Sequence, residues 1–323
     1  MYPYTGIHAR EHSIVKTILA TSWLVAAVSV SAPASTAAQA PAFTDALLEK
    51  VRAAARAVPG DLPRSLRVLT FAEFKTPLSG AVEGAGDEVV DGVYTAFQVR
   101  YSDGWIMVDA GVDREVETDT SVTIHQDRYQ RVQEALRGAN LIVVTHEHHD
   151  HVAGVIHTPT RDLIAPKTVL TRAQVQTLLA MDTRKRRLGN SPLVRLTPAD
   201  AARYLVIDYE QLYPIAPGLV LVKAAGHTPG SQMVYVRLDS GQETLLVGDI
   251  AWFMAGIERR LQKPAGISRE MGEDRAALQE ELDWLSGLTQ RQHIVLINSH
   301  DAAWLGSLVS RGILKDDLDL GAH

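Results

Sequence analysis

At 323 residues, with 46% apolar and 22% charged side chains, the chain has a globular composition and not a disordered or fibrous one. A formal net charge of −6 without a dominant basic face argues against nucleic acid as a partner, because phosphate neutralisation needs clustered Lys and Arg. Cysteine is absent, so disulfides and thiolate metal sites are excluded, and any metal ligand must be His or a carboxylate.

In chain order, Arg10 and Lys16 precede an apolar stretch over residues 17–32, which leads through small residues to Ala37-Ala38-Gln39-Ala40. A charged start, an apolar middle and an A-x-A exit predict a signal peptide over residues 1–40. The run falls short of the ~20 residues that span a bilayer, so no membrane insertion is expected after processing. Cleavage after Ala40, or after Ala38, leaves a single domain over residues 41–323 in the periplasm.

Within that domain, residues 43–57 carry Phe43, Leu47, Leu48, Val51, Ala54 and Ala55 at helical spacing, with Gly60 beyond the end. Residues 66–71, 93–101 and 105–109 read as strands, the last two joined as a hairpin by Ser102-Asp103-Gly104. A helix over 124–136 stops at Gly138, and the wholly apolar run 141–144 reads as a buried strand. Strands near 163–165 and at 168–170 precede a helix over 172–181. The polar segment 182–200, with its basic run Arg184-Lys185-Arg186-Arg187, reads as a solvated loop or helix end. Strands at 219–223, 232–238 and 244–247 follow, the last two a hairpin across Asp239-Ser240-Gly241. A helix over 274–285 and a strand over 293–298 close the pattern. Two runs of strands, each interleaved with helices, predict an α/β chain of two similar halves, packed sheet to sheet with helices outside.

The chemistry concentrates in Thr145-His146-Glu147-His148-His149-Asp150-His151, directly after a predicted strand. Alternate side chains of an extended loop face the same way, so His146 and His148 can grip one ion. Asp150 and His151, where the chain turns into a helix, can face a second, while Glu147 and His149 point elsewhere. The H-E-x-x-H pattern of zinc protease helices is not met, since the second histidine position holds Asp150. Three further candidates stand at predicted strand ends: His227 in Gly226-His227-Thr228-Pro229-Gly230-Ser231, Asp249 after Gly248, and His300 in Asn298-Ser299-His300-Asp301.

The order H-x-H-x-D-H, then H, D and H, resembles the metallo-β-lactamase superfamily of metal-dependent hydrolases from about residue 66 to 300, most of the mature chain. The resemblance implies a four-layer αββα sandwich. It implies His146, His148 and His227 on one divalent ion, Asp150, His151 and His300 on a second, and Asp249 bridging both. Asp109, in Val108-Asp109-Ala110-Gly111, matches an early family motif whose carboxylate orients a ligand histidine. His8, His12, His125, His157, His293 and His323 are expected outside the site.

Two divalent ions about 3.5–4 Å apart can share a water and lower its pKa from ~15.7 towards neutrality, giving a bridging hydroxide as nucleophile. Either Asp249 or Asp150 can then carry the proton to the leaving group. His with carboxylate suits Zn, the default in the periplasm, but also Fe, Mn, Co or Ni. The full ligand set with its bridging Asp resembles the N-acyl homoserine lactonases, glyoxalase II-type thioesterases, RNase Z-type nucleases and organophosphate hydrolases. The acidic balance and export disfavour the nucleases, the absence of a basic C-terminal tail disfavours glyoxalase II, and a small-molecule lactone or ester is the expected substrate. A β-lactam, thioester or phosphoester is the alternative for the same site, and metal binding without catalysis is the reading of another class. Ile250, Ala251, Trp252, Phe253 and Met254 beside Asp249, with Trp304, are candidates for an apolar substrate wall.

Overall fold

Helical and strand periodicities sort the chain into two sheets, each with its own helices. The computed structural model describes residues 43–181, 188–291 and 293–321. The expected signal segment, the basic run 184–187, and His8, His12 and His323 lie outside the described residues. Helix α1 (Asp45–Ala54) opens the described chain, followed by strands β1 (Ser65–Pro77), β2 (Val89–Arg100), β3 (Trp105–Val108) and β4 (Thr123–Ile124). Then come α2 (Gln126–Gly138), β5 (Leu141–Val143), α3 (His149–Ile156), α4 (Arg161–Ile164), β6 (Thr168–Thr171), α5 (Arg172–Ala180), α6 (Pro198–Ala201) and β7 (Leu205–Ile207). The second run comprises β8 (Leu212–Ala216), β9 (Leu219–Lys223), β10 (Gln232–Arg237), β11 (Glu243–Gly248), α7 (Met254–Arg259), α8 (Ala265–Met271), α9 (Arg275–Arg291), β12 (Ile294–Asn298), α10 (Ala302–Ser310) and β13 (Lys315–Asp316).

The first sheet runs β13-β1-β2-β3-β5-β6-β7, with β4 also on β1, and the second runs β12-β11-β10-β9-β8. Their inner faces meet through Leu66, Val68, Phe97 and Val99 against Leu221, Val234 and Val236. Outside the first sheet, Phe71, Met107 and Ile142 pack with Val132 and Leu136 of α2 and Val152 of α3. Outside the second, Leu278, Leu282 and Leu285 form one stripe of α9, at spacings of four and three residues, and share a core with Leu47, Leu48 and Val51 of α1. The layers are therefore helix, sheet, sheet, helix. The halves are alike in plan and unequal in size, eight strands against five. No helix among the described residues is long and apolar enough to cross a membrane.

Several expectations are corrected. Residues 163–165 form no strand; α4 passes into a 3-10 turn over Ala165–Lys167, because Pro166 has no N–H to give a ladder and Leu163 faces outward. Strands β7 and β8 were not expected, being sheet edges with no alternation of buried and exposed residues. Helix α3 begins at His149, three residues before the apolar start at Val152, so Asp150 and His151 occupy its first turn.

That helix is stitched to the loop after β3: Ala110 N donates to His151 O at 2.8 Å, and Gly154 N donates to Gly111 O at 2.8 Å. A Cβ on Gly154 would stand 2.0 Å from the Ala110 carbonyl oxygen, a backbone atom that cannot move aside. Gly154→Ala is therefore expected to cost about 1–3 kcal/mol, as overpacking does. Its urea midpoint should fall, and α3 should carry Asp150 and His151 out of line.

Candidate metal centre

Strands β3 and β5 are parallel, with Val108 opposite Val143, so the residues following both emerge at the same sheet end. Asp109 adopts a left-handed backbone (φ 65°), a conformation that costs a non-glycine residue about 1–3 kcal/mol. Its buried carboxyl group offsets this by accepting from Thr145 N at 2.7 Å, Thr145 Oγ1 at 2.9 Å and His151 Nδ1 at 2.8 Å. In the second sheet β11 and β12 are also parallel, with Gly248 opposite Asn298, and they deliver Asp249 and His300 together. Gly248 turns with φ 56°, which glycine adopts freely.

The His227 loop, between β9 and β10, is tied to the first sheet. Gln232 N donates to Thr145 O at 2.9 Å, and the Gln232 and Gln174 side chains both donate to Val144 O. Glu147 is wholly buried and turned from the centre, accepting from Thr228 Oγ1 at 2.7 Å and Gly230 N at 3.3 Å. His149 likewise faces away, 2.9 Å from Glu117 Oε2. Both residues point away from the centre, as the alternation of side chains predicted, and both brace loops.

All seven candidate ligands converge. Ligand atoms of His146, His148, His227 and Asp249 lie within 4.8 Å of one another, as do those of Asp150, His151, Asp249 and His300. Asp249 belongs to both groups. Its Oδ2 lies 3.8 Å from His146 Nε2 and from His227 Nε2 and 3.1 Å from His300 Nε2, while Oδ1 lies 3.3 Å from His151 Nε2 and 3.0 Å from His300 Nε2. His148 turns Nδ1 inward, 3.0 Å from His227 Nε2.

The residues fit a cation pair on two observations. His146 Nε2, His151 Nε2 and Asp249 Oδ1 are buried and have no hydrogen-bond partner, and each orphaned polar atom costs about 1–3 kcal/mol. Meanwhile the outward nitrogens are held: His151 Nδ1 donates to Asp109, His227 Nδ1 to Glu273 Oε1 at 2.7 Å, and His300 Nδ1 to Val93 O at 2.7 Å. Those bonds fix the tautomer that leaves each inward nitrogen with a lone pair.

The electrostatics agree. Burial, helped by His151, holds the His146 imidazole well below its usual pKa; burial and His227 do the same for His148. Burial also opposes charge on His151 and His300, but it is outweighed at His151 chiefly by Asp150 and Asp249 and at His300 chiefly by Asp249, so both are raised. For Asp249, burial is overcome by His300 and His151, and its carboxyl stays well below the usual range. The carboxylates thus demand positive charge at the centre, and a divalent cation meets the same demand. Asp109→Asn would present an amide to the Thr145 and His151 donors. Its expected effect is a roughly 10- to 100-fold loss of metal affinity, read by chelator competition, as for other partners that orient ligands.

Four nearby residues were not among the predicted ligands. Tyr94 packs its ring 5.6 Å from that of His300 and donates to Glu117 Oε2 at 3.1 Å. Trp252 Nε1 donates to Asp249 Oδ2 at 2.7 Å. Lys263 and Glu273 lie behind His227 and Asp249. Tyr94 falls within the predicted strand 93–101 and Trp252 within the apolar run after Asp249, whereas Lys263 and Glu273 belong to no motif or periodic face; packing brings all four to the centre. The apolar wall is corrected: Ile250, Ala251, Phe253 and Met254 are buried core, Trp304 donates to Leu296 O within the fold, and Trp252 alone is half-buried beside the centre. His125 and His157 pair near the surface with Glu73 and Glu115, and His293 is exposed. Asp113, Glu115 and His157 also cluster, but Asp113 caps the turn at Glu115 and Val116. A cavity of about 420 Å³ adjoins the centre, with Glu117, His149, Gly189, Asn190 and Ser191 in its wall. A Cβ on Gly189 would lie 2.6 Å from the His148 ring, so the cavity abuts a candidate ligand.

A family model described as the metallo-beta-lactamase superfamily matches residues 90–281. No curated protein matches the sequence. Among solved structures, a quorum-quenching N-acyl homoserine lactone hydrolase superposes with a TM-score of 0.59 at 16% identity, covering 76% of this chain and 96% of that one. An N-acyl homoserine lactone hydrolase with the product N-hexanoyl-L-homoserine at its catalytic metal centre gives 0.57 at 15%, covering 76% and 96%. A probable metal-dependent hydrolase from Staphylococcus aureus gives 0.55 at 14%, covering 75% and 91%. At these identities the likeness speaks for the fold.

Proposed function

The chain belongs to the metallo-beta-lactamase superfamily of metal-dependent hydrolases, and from that premise we propose that it opens an acyl lactone, or cleaves a comparable ester, at two divalent cations. The observation that carries the reading is Asp249, one carboxylate that belongs to both groups of histidines. His146, His148 and His227 would hold one cation and Asp150, His151 and His300 the other, with Asp249 shared and zinc the first candidate. When bound, such a pair supplies an activated water and Lewis acidity towards a carbonyl oxygen.

The chain's own groups do the rest. Burial of the ligands excludes bulk water and strengthens every charge interaction at the centre. Asp249 is committed on both oxygens, Oδ2 also to Trp252. Asp150 is the most exposed of the seven, at 8%, and is assigned the proton transfer. It takes a proton from the attacking water and delivers it to the departing alkoxide as the C–O bond breaks. Glu117, Asp119 and Glu270 give the adjoining cavity an acidic wall, which repels phosphoester anions and leaves neutral esters and lactones favoured. The product-bound lactone hydrolase of the same fold supports that choice. The signal-like pattern of residues 1–40 supports the further proposal that the chain is exported and acts in the periplasm.

The test is a rate comparison with the zinc-loaded protein on homoserine lactones of increasing acyl length, an aryl ester, nitrocefin and a phosphotriester. The largest kcat/KM is expected on a lactone or ester. A larger value on nitrocefin or the phosphotriester overturns the substrate class. No turnover on any of them, with cations bound, leaves a metal-binding protein without catalysis.

A further inference from the structure

A lysine with 2% of its surface exposed stands behind the metal centre, in the short link between α7 and α8. Burying an ammonium is unfavourable unless each of its donors is satisfied. Lys263 Nζ lies 2.8 Å from Asp249 O, 2.8 Å from Glu273 Oε1 and 5.3 Å from the centroid of the Trp252 ring. Three ammonium hydrogens thus meet a carbonyl, a carboxylate and a π face. An arginine fork, planar and longer, does not match those three directions.

Each partner leads to a candidate ligand. Glu273 Oε1 also accepts from His227 Nδ1 at 2.7 Å, so one oxygen joins the ammonium to a histidine of the first group. Trp252 holds Asp249 by its side chain while Lys263 holds the same residue by its carbonyl. The lysine is itself fixed, because Arg275 Nη1 donates to Lys263 O at 2.8 Å and Glu83 N to Gln262 O at 2.8 Å. On the other side, Asp274 N donates to Gly226 O at 2.8 Å and keeps Glu273 beside the His227 loop.

We propose that Lys263 is a positioning residue of the metal centre, which orients His227 through Glu273 and sets the shared ligand Asp249 through its carbonyl and Trp252. The inference rests on the two-cation reading under Proposed function. Losing Lys263 leaves Glu273 free to turn from His227 and the Asp249 loop free to shift, and it weakens cation binding chiefly at the first position. Outer partners of metal ligands typically change affinity by about 10- to 100-fold.

The experiment measures zinc affinity and stoichiometry by chelator competition, and the visible spectrum of the cobalt-substituted protein, for wild type, Lys263→Met, Glu273→Gln and the double variant. Circular dichroism of the metal-free proteins checks folding. Two equivalents are expected for wild type, with one bound about 10- to 100-fold more weakly in Lys263→Met and an altered cobalt spectrum. The Lys263→Met loss should shrink once Glu273→Gln is present. A folded Lys263→Met variant with wild-type affinities and spectrum overturns the inference, and so does a loss that is undiminished in the Glu273→Gln background. If Lys263→Met does not fold, Glu273→Gln decides: unchanged affinity at the first position refutes the relay, and a weakened one supports it. Wild type binding no cation would instead sink the two-cation reading itself, which separates the two failures.

Discussion

Asp249→Ala should lower kcat/KM by more than the roughly 100-fold seen when an outer partner is lost, because it removes a ligand from both groups at once. That corresponds to at least about 2.7 kcal/mol of transition-state stabilisation. Without the carboxylate, His146, His151, His227 and His300 face one another with Asp150 as the remaining acid among the seven, and two adjacent dications lose the negative charge between them. The bound metal should fall from two equivalents to one or fewer, measured alongside turnover by elemental analysis. The backbone has no reason to move, since Gly248 makes the turn and the β11–β12 pairing does not involve the side chain. A folded Asp249→Ala protein that keeps two ions and full turnover would contradict the shared-ligand account.

Stripping the metal should cost stability as well as activity. A cation that binds the folded chain alone stabilises it by about 4 kcal/mol at a thousand times its Kd. At roughly 2–4 °C per kcal/mol for a domain of this size, chelation should lower Tm by on the order of 10 °C, and added zinc should restore it. His146 Nε2, His151 Nε2 and Asp249 Oδ1, which make no hydrogen bond within the fold, are the atoms whose burial a cation would compensate. Ligand histidines must be neutral to bind, so the gain in Tm should fade as pH drops through the histidine range. The check is calorimetry with and without dipicolinate at neutral and mildly acidic pH. An unchanged Tm on complete metal removal counts against the account.

Much of the site was legible because its residues sit in patterns that chemistry constrains. Four histidines within residues 146–151 follow an apolar strand, and His227, Asp249 and His300 each follow another, so strand periodicity placed them at sheet ends. Parallel pairing of β3 with β5 and of β11 with β12 then brings those ends together, a register that the residues alone do not state. The long strands β1 and β2 extend beyond the predicted 66–71 and 93–101: the far end of β1, over Lys75–Pro77, is polar and ends in proline, and that of β2, over Val89–Asp91, is a short apolar pair, mostly exposed, with no alternation to mark a strand. Lys263 shows the limit most clearly. In sequence it is one charged residue in an irregular link, and its role depends on the chain turning back after α7 to bring it under Asp249. The apolar run 250–254 misled for a related reason, since composition does not separate a substrate wall from core, and packing into α7 buried all but Trp252.

The central claim is that two groups of ligands, joined by Asp249, hold two cations. Equilibrium dialysis of the wild-type protein against zinc, followed by elemental analysis, tests it most directly. The account predicts two tightly held equivalents per chain, the second of which is lost in Asp249→Ala. One equivalent or none in the folded wild-type chain would contradict it.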